Sequence, residues 1–130
     1  MRSLFVLLLC LAFVALTSHA QSGTDAAITM VGKWSATESK SNGAGAAMNI
    51  SMTQSMKFSG SAKMDGKEFW TFSGTWEVQG NEITWHYDKS SRALADAAKT
   101  DTDEIISVDA EKMVLRSKVT GQRRTLLRAN

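Results

Sequence analysis

Between Phe69 and Tyr87 the chain alternates apolar and polar residues with a period of two. Trp70, Phe72, Trp76 and Val78 occupy one set of positions, with Gly74 between them, and Thr71, Ser73, Thr75 and Glu77 the other. Successive side chains of a strand point to opposite faces, so this spacing predicts a strand with one apolar face. Gln79-Gly80-Asn81 predicts a turn, because Gly and Asn tolerate positive φ. Ile83, Trp85 and Tyr87 then resume the alternation against Thr84, His86 and Asp88. Three of the four tryptophans fall in this one hairpin, which reads as the wall of a small antiparallel barrel.

The rest of the chain supplies strands to pair with it. Gln21 to Asp25 reads as a flexible terminus and Ala26 to Val31 as a short apolar segment of one helical turn. Trp34 to Lys40 predicts the first strand, and Ser41 to Ala46 a glycine-rich loop. Met48, Ile50, Met52, Met56 and Phe58 share a face, with Gln54 its one polar member, so Met48 to Phe58 is one long strand or two strands meeting at a bend. Ser59-Gly60-Ser61 reads as a break, and Asp65-Gly66 as a type I′ hairpin turn. Ser90 to Lys99 predicts a helix capped by Ser90 or Ser91, with Ala93, Leu94, Ala97 and Ala98 as its apolar stripe. Thr100 to Asp103 reads as a polar break, followed by strands at Glu104 to Val108, Met113 to Val119 and Arg123 to Arg128. Roughly eight short strands with short connections predict an all-β fold, an antiparallel up-and-down barrel with one short helix between strands. Closure also removes the exposed edges of an open sheet.

The N-terminus stands apart from this pattern. Met1-Arg2, the apolar run from Leu4 to Leu16, and Ser18-His19-Ala20 form the charged, apolar and small-residue regions of a secretory signal peptide, with cleavage before Gln21. Two domains of unequal kind follow: residues 1–20 as leader and residues 21–130 as the barrel. The leader's apolar run is short for a bilayer and no second one follows, so no membrane span is expected after cleavage. Cleavage also removes Cys10, the one cysteine, leaving no disulfide and no thiol nucleophile. An exported, periplasmic or secreted domain without disulfides must be held by its core alone. Removing Arg2 from the 15 basic residues leaves 14 against 13 acidic ones, a net charge of +1. That balance gives no reason to expect a nucleic-acid partner, and a monomer is the expected state.

With these elements in place, the chain resembles the small bacterial lipocalin-like proteins of the calycin group. The resemblance rests on VGKWS, where Gly32 and Trp34 match the G-x-W signature, on FSGTWEVQGNEITW, and on the ending EKMVLRSKVTGQRRTLLR. It implies a barrel whose last strand stacks a basic residue on the first-strand tryptophan. Arg128 is the best match for that residue and Arg124 the second choice. The resemblance also implies binding of a small apolar or amphipathic molecule rather than catalysis, with no cofactor. The chain departs from typical lipocalins in its shorter length, its lack of a disulfide, and a helix placed between strands rather than after the barrel.

Candidate chemistry is sparse. Met48, Ile50, Met52, Met56, Trp70, Phe72, Trp76, Trp85 and Tyr87 are the expected ligand-facing set, with Gly32, Trp34 and Arg128 closing the barrel. The methionines raise Cu(I) as a cargo, yet flexible core filling accounts for them, and one histidine in the mature chain leaves little else to hold a metal. His86 lies on the polar face of its strand, and no nucleophile elbow or phosphate-cradling loop is present, so no catalytic residue is assigned. Asp101, Asp103 and Glu104 read as a solvated acidic loop of weak calcium affinity at most. An eight-stranded barrel either packs solid or holds one small ligand. A cavity of about 300 Å³ or more favours a carrier, and a filled core favours a protein-interaction or inhibitor module acting through its surface.

Overall fold

The computed structural model describes residues 23–39 and 45–129. The leader reading at residues 1–20 and the centre of the glycine-rich loop fall outside the described residues. Eight strands follow in order: β1 Gly32–Ser39, β2 Gly45–Met52, β3 Lys57–Met64, β4 Lys67–Gln79, β5 Glu82–Ser90, β6 Thr100–Val108, β7 Lys112–Ser117 and β8 Arg123–Ala129. Each pairs antiparallel with the next, and β8 pairs with β1 to close the barrel. An α-helix, α1, spans Gly23–Met30 ahead of β1. The expected all-β up-and-down barrel is therefore the fold.

The turns follow their sequence chemistry. Asp65 and Gly66 both have positive φ, 52° and 79°, as a two-residue type I′ loop requires. Gly80, at φ 58°, opens the two-residue loop between Gln79 and Glu82. β2 and β3 resolve the long methionine-rich run into a hairpin in which Met52 faces Phe58. Met56 leaves the shared face, since it sits in the intervening turn with φ 63°.

Three local expectations change. Ser59-Gly60-Ser61 does not break the strand; β3 runs through it. A Cβ on Gly60 would lie 2.6 Å from the Phe72 ring, so the glycine makes room for an aromatic neighbour. The helix expected over Ser90 to Lys99 shrinks to a three-residue 3-10 turn at Asp96–Ala98 with no buried residue. Both proposed caps are engaged elsewhere: the Ser90 hydroxyl accepts from the Trp70 indole at 2.8 Å, and the Ser91 Oγ accepts from the Thr71 amide at 2.8 Å. An alanine stripe buries too little to compete with those ties. Leu94 is only half-buried. The longer helix is α1, which takes in part of the terminus expected to be flexible. Ala26 and Met30, one turn apart, are its buried positions.

The barrel has two unlike ends. At the end where α1 packs, Met30, Trp34, Met52, Trp76, Ile83 and Met113 are each under 3% exposed and form a solid floor. At the other end lie the β3–β4 turn, the segment between β5 and β6, and the β7–β8 turn. β4 can coil around this core because Gly74 lets β5 approach: a Cβ there would come within 1.8 Å of the His86 carbonyl oxygen.

Candidate ligand-binding site

The floor is locked by the first and last strands. Gly32 has φ 138°, which side-chain-bearing residues rarely adopt, and a Cβ on it would meet Arg128 Nη1 at 2.4 Å. The absent side chain leaves the guanidinium of Arg128 lying over the Trp34 ring, 4.2 Å from its centroid. The same guanidinium donates to the carbonyls of Val31 (2.8 Å), Thr29 (2.6 Å) and Ala110 (2.5 Å). It thus satisfies carbonyls at the C-terminal end of α1 and in the β6–β7 turn. The Trp34 indole in turn donates to Met30 O at 2.8 Å. Gly32, Trp34 and Arg128 therefore meet at the floor, and Arg124 lies two inward steps up β8.

Above the floor the interior hollows into a cup of about 170 Å³. Met48, Ile50, Trp70, Phe72, Trp85 and Tyr87 of the expected ligand-facing set line it. Met52 and Trp76 do not, being sunk in the floor, and Met56 lies in the turn below. Phe58, Leu115 and Leu126 complete the apolar wall. The aromatic side is a mutually supported cluster, with ring centroids 4.4 Å apart for Trp70–Phe72, 5.9 Å for Trp70–Tyr87 and 5.3 Å for Phe58–Tyr87. Such contacts stiffen the wall and fix its shape.

The opposite side of the cup is ionic, contrary to the expected solvated acidic loop. β6 begins at Thr100, so Asp101 and Asp103 are strand residues paired with Trp85 and Ile83. Cross-strand partners share a face, which turns both carboxylates inward. Glu104 points the other way and pairs with Arg116, so the three cannot converge on a calcium ion. Among the described residues no cluster of metal-ligating side chains is present. Asp103 is 8% exposed, and its Oδ2 accepts from the Trp85 indole at 3.0 Å. Burial first, and the nearby Asp101 second, raise its pKa above the ordinary carboxylate value. Burial also pushes the Tyr87 phenol up to about 12, with Asp101 adding to the effect.

Arg124 stands at the rim. It lines the cup, a polar cavity of about 180 Å³ with Asp101, Asp103, Ser117 and Gln122, and an apolar one of about 240 Å³ with Met48, Phe69 and Trp70. The enclosed cup alone is smaller than the cavity expected of a carrier, but it shares its lining with these two at the mouth. His86 is on the outer surface, between Glu77 (3.1 Å) and Thr100 (3.4 Å), away from the cup.

A closed antiparallel meander of eight strands, sealed at one end and cupped at the other, defines a lipocalin-type barrel. The chain matches the family model of the lipocalin-like domain over residues 30–115 and belongs to that family. A search of curated proteins returns no match. Arg124 and Arg128 lie beyond the matched segment, so their roles rest on the geometry described above.

Proposed function

We propose that the protein binds one small amphipathic molecule in the cup, apolar body inward and polar end toward the mouth, and that it does so without chemical conversion of the ligand. The observation that carries this reading is the cup's division into an aromatic wall and an ionic wall at the end of the barrel opposite α1. Its size suits a compact ligand: a comparable apolar cavity of about 150 Å³ accepts benzene. Membership of the lipocalin-like family supports binding over catalysis. The packed floor is what a solid-core interaction module would need throughout; the cup above it, about 170 Å³ and below the roughly 300 Å³ set for a carrier, leaves room for a compact ligand alone.

We further propose that residues 1–20 are removed on export and that the mature, monomeric domain acts in the periplasm or outside the cell. The N-terminal pattern of charge, apolar run and small residues supports this.

Native mass spectrometry of the protein purified from its host, followed by tryptophan-fluorescence titration with a panel of single-ring and short-chain amphipaths, tests the binding reading. Saturable one-to-one quenching is expected, because Trp70 and Trp85 line the cup. A clean apo mass with no response to any panel member would overturn it.

A further inference from the structure

The ionic wall holds charges of both signs, with Arg124 near enough to offset part of the effect of burial and of Asp101 on Asp103 but not in an ion pair with it. The ion pairs among the described residues are His86–Glu77, Lys99–Asp96, Arg116–Glu104 and Lys118–Glu82. The side chains of Arg124 and Asp101 are in none of them and, among the described residues, make no hydrogen bond. Asp103 has one oxygen on the Trp85 indole, and its other oxygen has no hydrogen-bond partner among the described residues. Yet all three residues line both the cup and the polar cavity beside it. On the outer face of β6 and β7, Arg116 and Glu104 close into a cross-strand pair. Here a guanidinium and two carboxylates face a common space and stay apart. Asp103 is the buried member of the set, Asp101 is half-buried and Arg124 keeps contact with solvent; a ligand with an anionic group for Arg124 and a cationic group for the aspartates would complement both signs.

We propose that the ligand's polar end is zwitterionic: a primary ammonium held by Asp101 and Asp103, and a carboxylate held by Arg124, on a body of about one aromatic ring lying against Trp70, Phe72 and Tyr87. An α-amino acid with an aromatic or large aliphatic side chain has this chemistry. The inference deepens the amphipath-binding reading and rests on it.

Four probes with the same body separate the possibilities: L-phenylalanine, phenethylamine, 3-phenylpropionate and propylbenzene, each titrated by tryptophan fluorescence and calorimetry. L-Phenylalanine should bind at least tenfold more tightly than either singly charged analogue, as expected when a charge-assisted contact of about 1.5–3 kcal/mol is lost. Arg124→Met should abolish the advantage of L-phenylalanine over phenethylamine, and Asp101→Asn should reduce its advantage over 3-phenylpropionate. Both positions are solvent-accessible, and circular dichroism with melting curves confirms that the variants fold. Equal binding of all four probes would overturn the zwitterion proposal while leaving the cup as an apolar binding site. Tightest binding of 3-phenylpropionate or of phenethylamine would overturn it in favour of a singly charged ligand. Binding of none would also overturn it, and the wider amphipath panel then decides the fate of the parent reading.

Discussion

Trp34→Ala tests the floor most directly. Truncating a fully buried tryptophan costs about 3–5 kcal/mol, and Trp34 has no exposed surface. Two further losses overlap with that figure. Met30 O gives up its indole donor, a bond with a net contribution of about 1 kcal/mol. Arg128 loses the ring beneath it, worth about 0.5–2 kcal/mol. Since these terms are partly counted in the truncation itself, the expected change is about 4–5 kcal/mol. A small domain has about 5–15 kcal/mol in total, so the variant should be marginal or unfolded. Guanidinium denaturation followed by far-ultraviolet circular dichroism reads this without relying on the deleted fluorophore. Arg128→Met and the double variant complete a cycle, with an expected coupling of about 0.5–2 kcal/mol. A change below about 1 kcal/mol for Trp34→Ala, the size of an ordinary substitution, would refute the floor assignment.

Tyr87 is the one tyrosine in the chain, so alkaline absorbance titration reads it alone; a midpoint near 12 is expected, and one near 10 would contradict its burial. A folded pKa above the unfolded one means that this stabilising contribution is complete below about pH 10 and is lost as pH rises toward 12. Asp103 follows the same sign: its contribution is complete below the unfolded carboxylate value of about 4 and fades as pH rises through its higher folded value. Asp103→Asn keeps an acceptor for Trp85 without titrating, so its stability relative to wild type should rise as pH climbs above about 4; an unchanged difference in denaturation midpoint would refute this. Gly74→Ala forces a methyl against the His86 carbonyl and should destabilise by at least about 1–3 kcal/mol, which an unaltered thermal melt would disprove.

The aromatic wall was legible in the sequence because apolar residues at period two face a core whatever the details of the barrel. Trp70, Phe72, Trp85 and Tyr87 accordingly line the cup. The ionic wall was not legible, because the same rule sends polar residues outward and Asp101 and Asp103 face in. A signal was present nonetheless. Thr100 and Thr102, β-branched residues alternating with the aspartates, favour a strand that starts four residues before Glu104. Depth along the barrel was equally hidden: Met52 and Trp76 have the same inward phase as Met48 and Phe72, and only the closed register shows which lie below the cup. The Ser90–Lys99 segment misled for a different reason, since the serines that resembled helix caps serve Trp70 and Thr71 across the sheet.

The seam between β1 and β8, with Lys33, Trp34 and Ser35 paired to Ala129, Arg128 and Leu127, joins the two ends of the domain. Its contacts span almost the whole chain, so closing the loop is the step of greatest contact order and the slowest to nucleate. Arg128 also supplies the donors on which the end of α1 depends. Until the final strand is available, the chain has an open sheet, an uncovered tryptophan and an unanchored helix. A polypeptide built this way commits to its native state only once its last strand is free to pair with the first.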